Sequence, residues 1–190
     1  MVALPCEAQP FVERYGLKRV KCGLPFRVWL HDGLLVAAAG IGRSSMARAP
    51  ELLWGKFDCS NTFWLNVGIA GHGHQAIGLW YRVSQVRNTC GDVMELADEP
   101  PTPGFDPKPC FTVDDVETEF AHDALYDMEG FAFVESVLQY APRHRVFCFK
   151  VISDNKDSGF DYLDRHTISD LVRTGLDSLE NQLFRPLSTW

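Results

Sequence analysis

The sequence predicts an α/β fold: a single-domain mixed β-sheet flanked by helices. Apolar runs of strand length alternate along the chain with stretches of helical periodicity, the pattern of a sheet covered by helices. An Asp-Gly pair between two apolar runs marks a hairpin, so antiparallel pairing is expected beside the alternating pattern. The length, 190 residues with 46% hydrophobic and 23% charged, suits one sizeable core, so residues 1–190 read as one domain.

Val2-Ala3-Leu4 reads as a brief strand, and Pro5-Cys6-Glu7 turns it into a helix from Ala8 to Tyr15, with Pro10 in the first turn. Glu7 then stands at a strand-to-helix junction. Phe26 to Leu30 and Leu34 to Ala39 are the two hairpin strands around His31-Asp32-Gly33. The second runs into Gly40-Ile41-Gly42-Arg43, ahead of a helix from Ser44 to about Gly55 that Pro50 interrupts. A Gly-x-Gly turn opening a helix brings backbone N–H groups close to an anion or a sugar hydroxyl, with Arg43 either an anion ligand or a surface arginine. Neither a third glycine at dinucleotide spacing nor Gly-Lys-Ser/Thr is present, which excludes nicotinamide and P-loop readings.

Thr62 to Val67 is the next strand, ending in the glycine-rich Gly68-Ile69-Ala70-Gly71-His72-Gly73-His74, where the backbone can be approached closely. The His-x-His pair lacks a nearby carboxylate, so it reads as exposed loop and no metal is expected. Ile77 to Val86 reads as a strand, Arg87 to Gly91 as a turn, and the acidic, proline-rich Asp92 to Lys108 as an exposed loop. Cys110 to Val113 is a short strand, and Asp114 to Phe120 begins an acidic helix. Ala124 to Asp157 holds a short apolar run into Asp127-Met128-Glu129, about three turns of helix, and a strand ending at Ser153-Asp154. Such acidic strand ends beside glycine or a helix start are where open α/β sheets place ligand-handling groups. Thr167 to Phe184 closes the chain as an amphipathic helix with Ile168, Leu171, Val172, Leu176, Leu179 and Leu183 on one face.

A net charge of −7 argues against nucleic acid or an anionic membrane as partner. No apolar run approaches the ~18 residues of a membrane span, and the amino terminus lacks a signal-peptide pattern, so a cytoplasmic protein is expected. Six scattered cysteines without a C-x-x-C pair suggest reduced thiols.

Read together, Ala3-Leu4-Pro5-Cys6-Glu7-Ala8, Gly40-Ile41-Gly42-Arg43, Asn66-Val67-Gly68-Ile69-Ala70-Gly71, and Asp127-Met128-Glu129-Gly130 with Ile152-Ser153-Asp154 resemble the nucleoside phosphorylase and nucleosidase superfamily. That superfamily includes purine and uridine phosphorylases and the methylthioadenosine/S-adenosylhomocysteine nucleosidases. The resemblance implies cleavage of an N-glycosidic bond, whose oxocarbenium-like transition state calls for an acid near the base and acceptors at the ribose hydroxyls. By resemblance Asp154 is the acid that protonates the base, Glu129 the ribose-binding carboxylate, Met128 the side chain under the sugar, and Glu7 the holder of the attacking water. Gly68, Ile69, Ile41 and Val116 would complete the substrate site. Lys150 lies where nucleosidases often carry arginine and would assist the water.

The chain also departs from the pattern. Asn66 stands where phosphorylases often place a phosphate-binding arginine, and Ile69 where a small hydroxyl residue is common. Val116 stands where nucleosidases carry an aromatic that stacks on the base. Retained Glu7 and the missing arginine favour water over phosphate. The alternatives are a phosphorylase binding phosphate through Arg43, or a nucleoside-binding relative without catalysis. The expected partner is a small-molecule nucleoside, with no cofactor, no nucleic acid and no membrane; the resemblance further implies a homodimer.

Overall fold

The computed structural model describes residues 1–97 and 105–181. Its first helix, α1 (Pro5–Arg14), starts earlier than the sequence suggests, because Pro5 supplies a preset φ at the first helical position. Pro10 consequently lies inside the helix rather than in its first turn, where it removes one backbone donor. A short strand, β1 (Lys18–Val20), unforeseen in the sequence, pairs with the hairpin β2 (Arg27–His31) and β3 (Leu34–Ala38) in a small antiparallel sheet. The hairpin turns through Asp32 and Gly33, both at positive φ (48° and 77°), as a two-residue Asp-Gly turn requires. Helix α2 (Arg43–Trp54) follows, with Pro50 buried inside it.

The main sheet is built from β4 (Trp64–Gly71), β5 (Trp80–Asn88), β6 (Val93–Glu95), β7 (Asp106–Thr112), β8 (Leu125–Asp127) and β9 (Val146–Asp154), in the order β6-β5-β7-β8-β4-β9. An additional antiparallel pairing of β5 with β9 joins the sheet back onto itself. The sheet is mixed: β4 and β9 run parallel, as do β5, β7 and β8, and the two sets meet antiparallel. Helix α3 (Gly130–Val137) precedes β9, while α4 (Arg165–Thr174) and α5 (Leu176–Leu179) follow it.

Alternate residues of β9 face two cores. Val146, Cys148 and Ile152 pack with α2 and α3, whereas Phe147, Phe149 and Val151 pack with α1, α4 and α5. Residues 1–3 lie between the two sheets: Val2 N donates to Ala37 O at 2.9 Å and Val67 N to Met1 O at 3.0 Å. This stitch sets the start of α1 beside the end of β4.

Three further differences from the sequence reading have plain causes. Asp114 to Phe120 is irregular rather than helical, since a first turn crowded with Asp114, Asp115, Glu117 and Glu119 repels itself and Phe120 takes φ 45°, which no helix contains. The final helix divides at Gly175, where the Trp80 ring lies 2.3 Å from the place a Cβ would occupy. Its end from residue 182 onward, with Leu183 and Phe184, is outside the described residues. The segment read as one loop from Asp92 to Lys108 holds β6 and the start of β7, its 98–104 part being outside the described residues; the turn expected at Arg87 begins after Asn88 instead. Among the described residues, no helix is long and apolar enough to cross a membrane.

Candidate active site

Leu4, at the head of α1, has no side-chain acceptor to cap the helix, and Glu7 in the first turn takes over. Its Oε2 accepts from Leu4 N at 2.8 Å and Ala3 N at 2.9 Å, while Oε1 reaches across to β4 and accepts from Ile69 N at 3.1 Å. Glu7 is only 2% exposed. Burial pushes its pKa up, against the pull of the three backbone donors and of Lys150. The carboxylate rests on Gly68: a Cβ there would stand 2.7 Å from Oε1.

The junction of β8 and α3 is held by Asp127. Its Oδ2 accepts from Gly130 N at 2.8 Å and pairs with Lys150 Nζ at 2.7 Å; its Oδ1 accepts from Thr112 Oγ1 at 2.7 Å, which in turn accepts from Phe131 N at 2.8 Å. Lys150 and Asp127 are thus a buried, hydrogen-bonded ion pair, the form in which internal charge is tolerated. Burial works against the lysine's charge, yet Asp127 and the other acids nearby hold its pKa above the ordinary value. Glu129 occupies the N-cap position of α3 but makes no cap bond with its side chain. Its Oε1 instead accepts from Gly42 N at 2.7 Å, so the Gly-x-Gly turn presents its N–H to a protein carboxylate. Burial first, and Asp127 second, push the Glu129 pKa up to about 7.

The third acid ends β9. The parallel register of β4 and β9 slips between Ala70 and Gly71, which sets Gly71 opposite Asp154. Ser153 Oγ donates to Asp154 Oδ1 at 2.5 Å, and His72 N donates to Asp154 O at 3.0 Å. Burial raises the Asp154 pKa and the Ser153 hydroxyl opposes it. Here too a glycine makes room: a Cβ on Gly71 would meet Asp154 Oδ2 at 2.7 Å.

These acids open onto one cavity of ≈ 180 Å³. Of the residues singled out in the sequence, Glu7, Ile41, Ile69, Val116, Met128, Glu129 and Asp154 line it. Gly68 lies behind Glu7, and Lys150 lies behind the wall, bound to Asp127. Arg43 is not part of the wall; it opens α2 and pairs with Asp114 at 3.4 Å. Asn66 is buried in β4 with its amide on Met1 O. Phe120, Tyr126, Glu117, Phe160 and Leu163 also line the cavity and were not foreseen. Phe120 was concealed by the expectation of a helix. Glu117 Oε1 accepts from Glu119 N (2.7 Å) and Phe120 N (3.3 Å), fixing the left-handed turn that drives the Phe120 ring onto Gly71, edge-on to Tyr126. The lining residues include no Lys, Arg or His. A pocket with apolar walls, four buried carboxylates of which Asp127 is paired with Lys150 behind the wall, and no cationic side chain in its lining suits a neutral or positively charging ligand and disfavours an anion.

No family model matches the sequence, and no curated protein matches it. Solved structures do. The futalosine hydrolase of Helicobacter pylori strain 26695 superposes with a TM-score of 0.75 at 13% identity, over 97% of this chain and 95% of that one. The 5′-methylthioadenosine/S-adenosylhomocysteine nucleosidase of S. pneumoniae, solved with a transition-state inhibitor, gives 0.70 at 16% identity over 94% of each chain. The 5′-methylthioadenosine nucleosidase of Arabidopsis thaliana gives 0.72 at 19% identity, over 99% of this chain and 93% of that one. The chain therefore has the nucleoside phosphorylase and nucleosidase fold over nearly its whole length.

Proposed function

We propose that this chain, built on the nucleosidase fold, hydrolyses the N-glycosidic bond of a purine nucleoside. The observation that carries the reading is the convergence of Glu7, Glu129 and Asp154, from three separate elements, on one cavity without a cationic side chain in its wall. In the reaction, water oxygen bonds to the anomeric carbon, the C–N bond breaks, and its electron pair goes to the base. Asp154, whose raised pKa favours the protonated form, gives its proton to the base nitrogen. Glu129 accepts from the ribose hydroxyls and opposes the positive charge that grows on the sugar, with Met128 beneath it. Glu7 orients the water and accepts its proton. Lys150 serves this reading indirectly, by balancing Asp127 under Glu129. No cofactor is needed.

A phosphate co-substrate would have to enter beside these carboxylates with no cation on the wall to receive it. The test is the sugar released from a panel of purine nucleosides in phosphate-free buffer and in saturating phosphate. Free sugar at similar rates in both is expected. A sugar 1-phosphate formed only with phosphate would establish phosphorolysis, and nucleoside binding without base release would establish a non-catalytic binder.

A further inference from the structure

The His72-Gly73-His74 segment was read from sequence as exposed loop, but His72 is 1% exposed and both its ring nitrogens are engaged. Nδ1 lies 3.1 Å from His74 N and 3.3 Å from Gln75 N, both donors, so it is the unprotonated acceptor. The ring proton is therefore on Nε2, which donates to Asp123 Oδ1 at 3.0 Å. Lys108 Nζ of β7 meets the same oxygen at 2.8 Å. Phe120, just before Asp123, presses its ring against Gly71 and places its Cβ 3.2 Å from where a Cβ on Gly73 would stand. Segments 71–74 and 120–123 are thus clasped at two points, by apolar contact at Phe120 and by the imidazole at Asp123. The clasp sits directly beside Asp154, which shares the Gly71 notch with the Phe120 ring and whose carbonyl accepts from His72 N.

We infer that neutral His72 is a positioning residue for the proposed reaction: through Asp123 it holds Phe120 in the cavity wall, and through the turn it caps it holds the end of β4 against Asp154. The inference rests on Asp154 being the proton donor assigned above. The charged and titratable groups facing the imidazole are Lys108 of β7, which also lies over the Tyr81 ring of β5, then Asp123 and His74, while the Asp154 carbonyl at the end of β9 holds the His72 backbone N–H. Burial, and then Lys108, lower the His72 pKa, with Asp123 opposing, so the ring is neutral at physiological pH. Protonation would set a hydrogen on Nδ1 facing two N–H donors, and the turn could not keep its cap.

Two substitutions on the solvent side of the clasp separate positioning from plain turn-capping. Asp123→Asn keeps an acceptor for Nε2 but removes the charge that favours imidazolium, so the acid limb of kcat/KM moves to lower pH. Lys108→Met removes a cation and moves the limb to higher pH. The profile is measured between about pH 5 and 8, alongside the His72 ring-proton titration by NMR, assigned by its loss in His72→Asn. Opposite shifts with matching midpoints are expected; a limb that stays fixed while the His72 titration moves overturns the inference. Hydrogen exchange of residues 114–124 needs no turnover. In Asp123→Ala those amides exchange faster while the melting temperature holds, and kcat/KM falls about tenfold or more if nucleoside is cleaved. Unchanged exchange overturns the clasp. Faster exchange in a protein that cleaves no nucleoside supports the clasp and rejects only the assigned reaction.

Discussion

Each of the three acids has a different neighbourhood, and that difference sets what each can do. Asp154 has one hydroxyl donor and a largely buried carboxyl, so it holds a proton more readily than an ordinary aspartate. Asp154→Asn should lower turnover of a purine nucleoside by at least about 100-fold, the scale of losing a positioned acid. Its melting temperature should not fall, since the neutral amide carries no charge to desolvate. Glu129, at about 7, is protonated in the fold at pH values where the unfolded chain, near 4.5, is ionised. The folded state therefore binds the extra proton across that window, and stability falls as pH rises through it. Glu129→Gln should flatten the curve, as thermal melts from pH 4.5 to 7 would show. A nucleoside whose hydroxyls donate to this carboxylate favours its ionised form, so binding near neutrality expels a proton. Calorimetry in two buffers of different ionisation enthalpy measures it directly; identical heats would remove Glu129 from the ribose site.

At the scale of elements, the carboxylates are set into notches left by glycine. Gly68 makes room for Glu7, Gly71 for Asp154 and Gly130 for Asp127, each with a carboxylate oxygen 2.7 Å from the missing Cβ. Gly71→Ala should therefore depress kcat more than it raises KM, because it displaces the acid and the Phe120 edge together; a variant with unaltered kcat would show the notch to be incidental. Much of this scale was legible in the sequence. Asp32-Gly33 could hardly be other than a hairpin turn, and Asp127 and Asp154 do end strands, with Glu129 at the start of the following helix. Tertiary contacts hid the rest. That Glu7 caps its own helix while reaching β4 depends on the register of residues 1–3. The place of Phe120 depends on a left-handed turn that composition argues against. The break at Gly175 depends on Trp80, far away in the chain, whose indole donates to Thr174. Lys150, read as a helper of the water, is committed to Asp127 by a burial that no local pattern announces.

For the molecule as a whole, the cavity mouth is rimmed by side chains that water solvates poorly: Ile41 is 57% exposed, Val116 48% and Phe160 42%. We predict that a second copy of the chain covers this rim in a homodimer. Sedimentation at micromolar concentration should find the dimer, and Phe160→Asp should dissociate it. The junction of β4 with β9 has a different consequence, for the order in which the chain folds. Ala70 and Ser153, hydrogen-bonded where these strands end, are 83 positions apart. Closing so long a loop costs entropy before any contact repays it, and sheets joined over such separations form slowly. Helical signal can appear early in refolding, but Asp154 lacks its Gly71 notch until the two strands meet. Nucleoside binding should therefore return only with the slowest phase, behind the far-ultraviolet circular dichroism, and recovery of binding in an earlier phase would show that the site forms before the strands join.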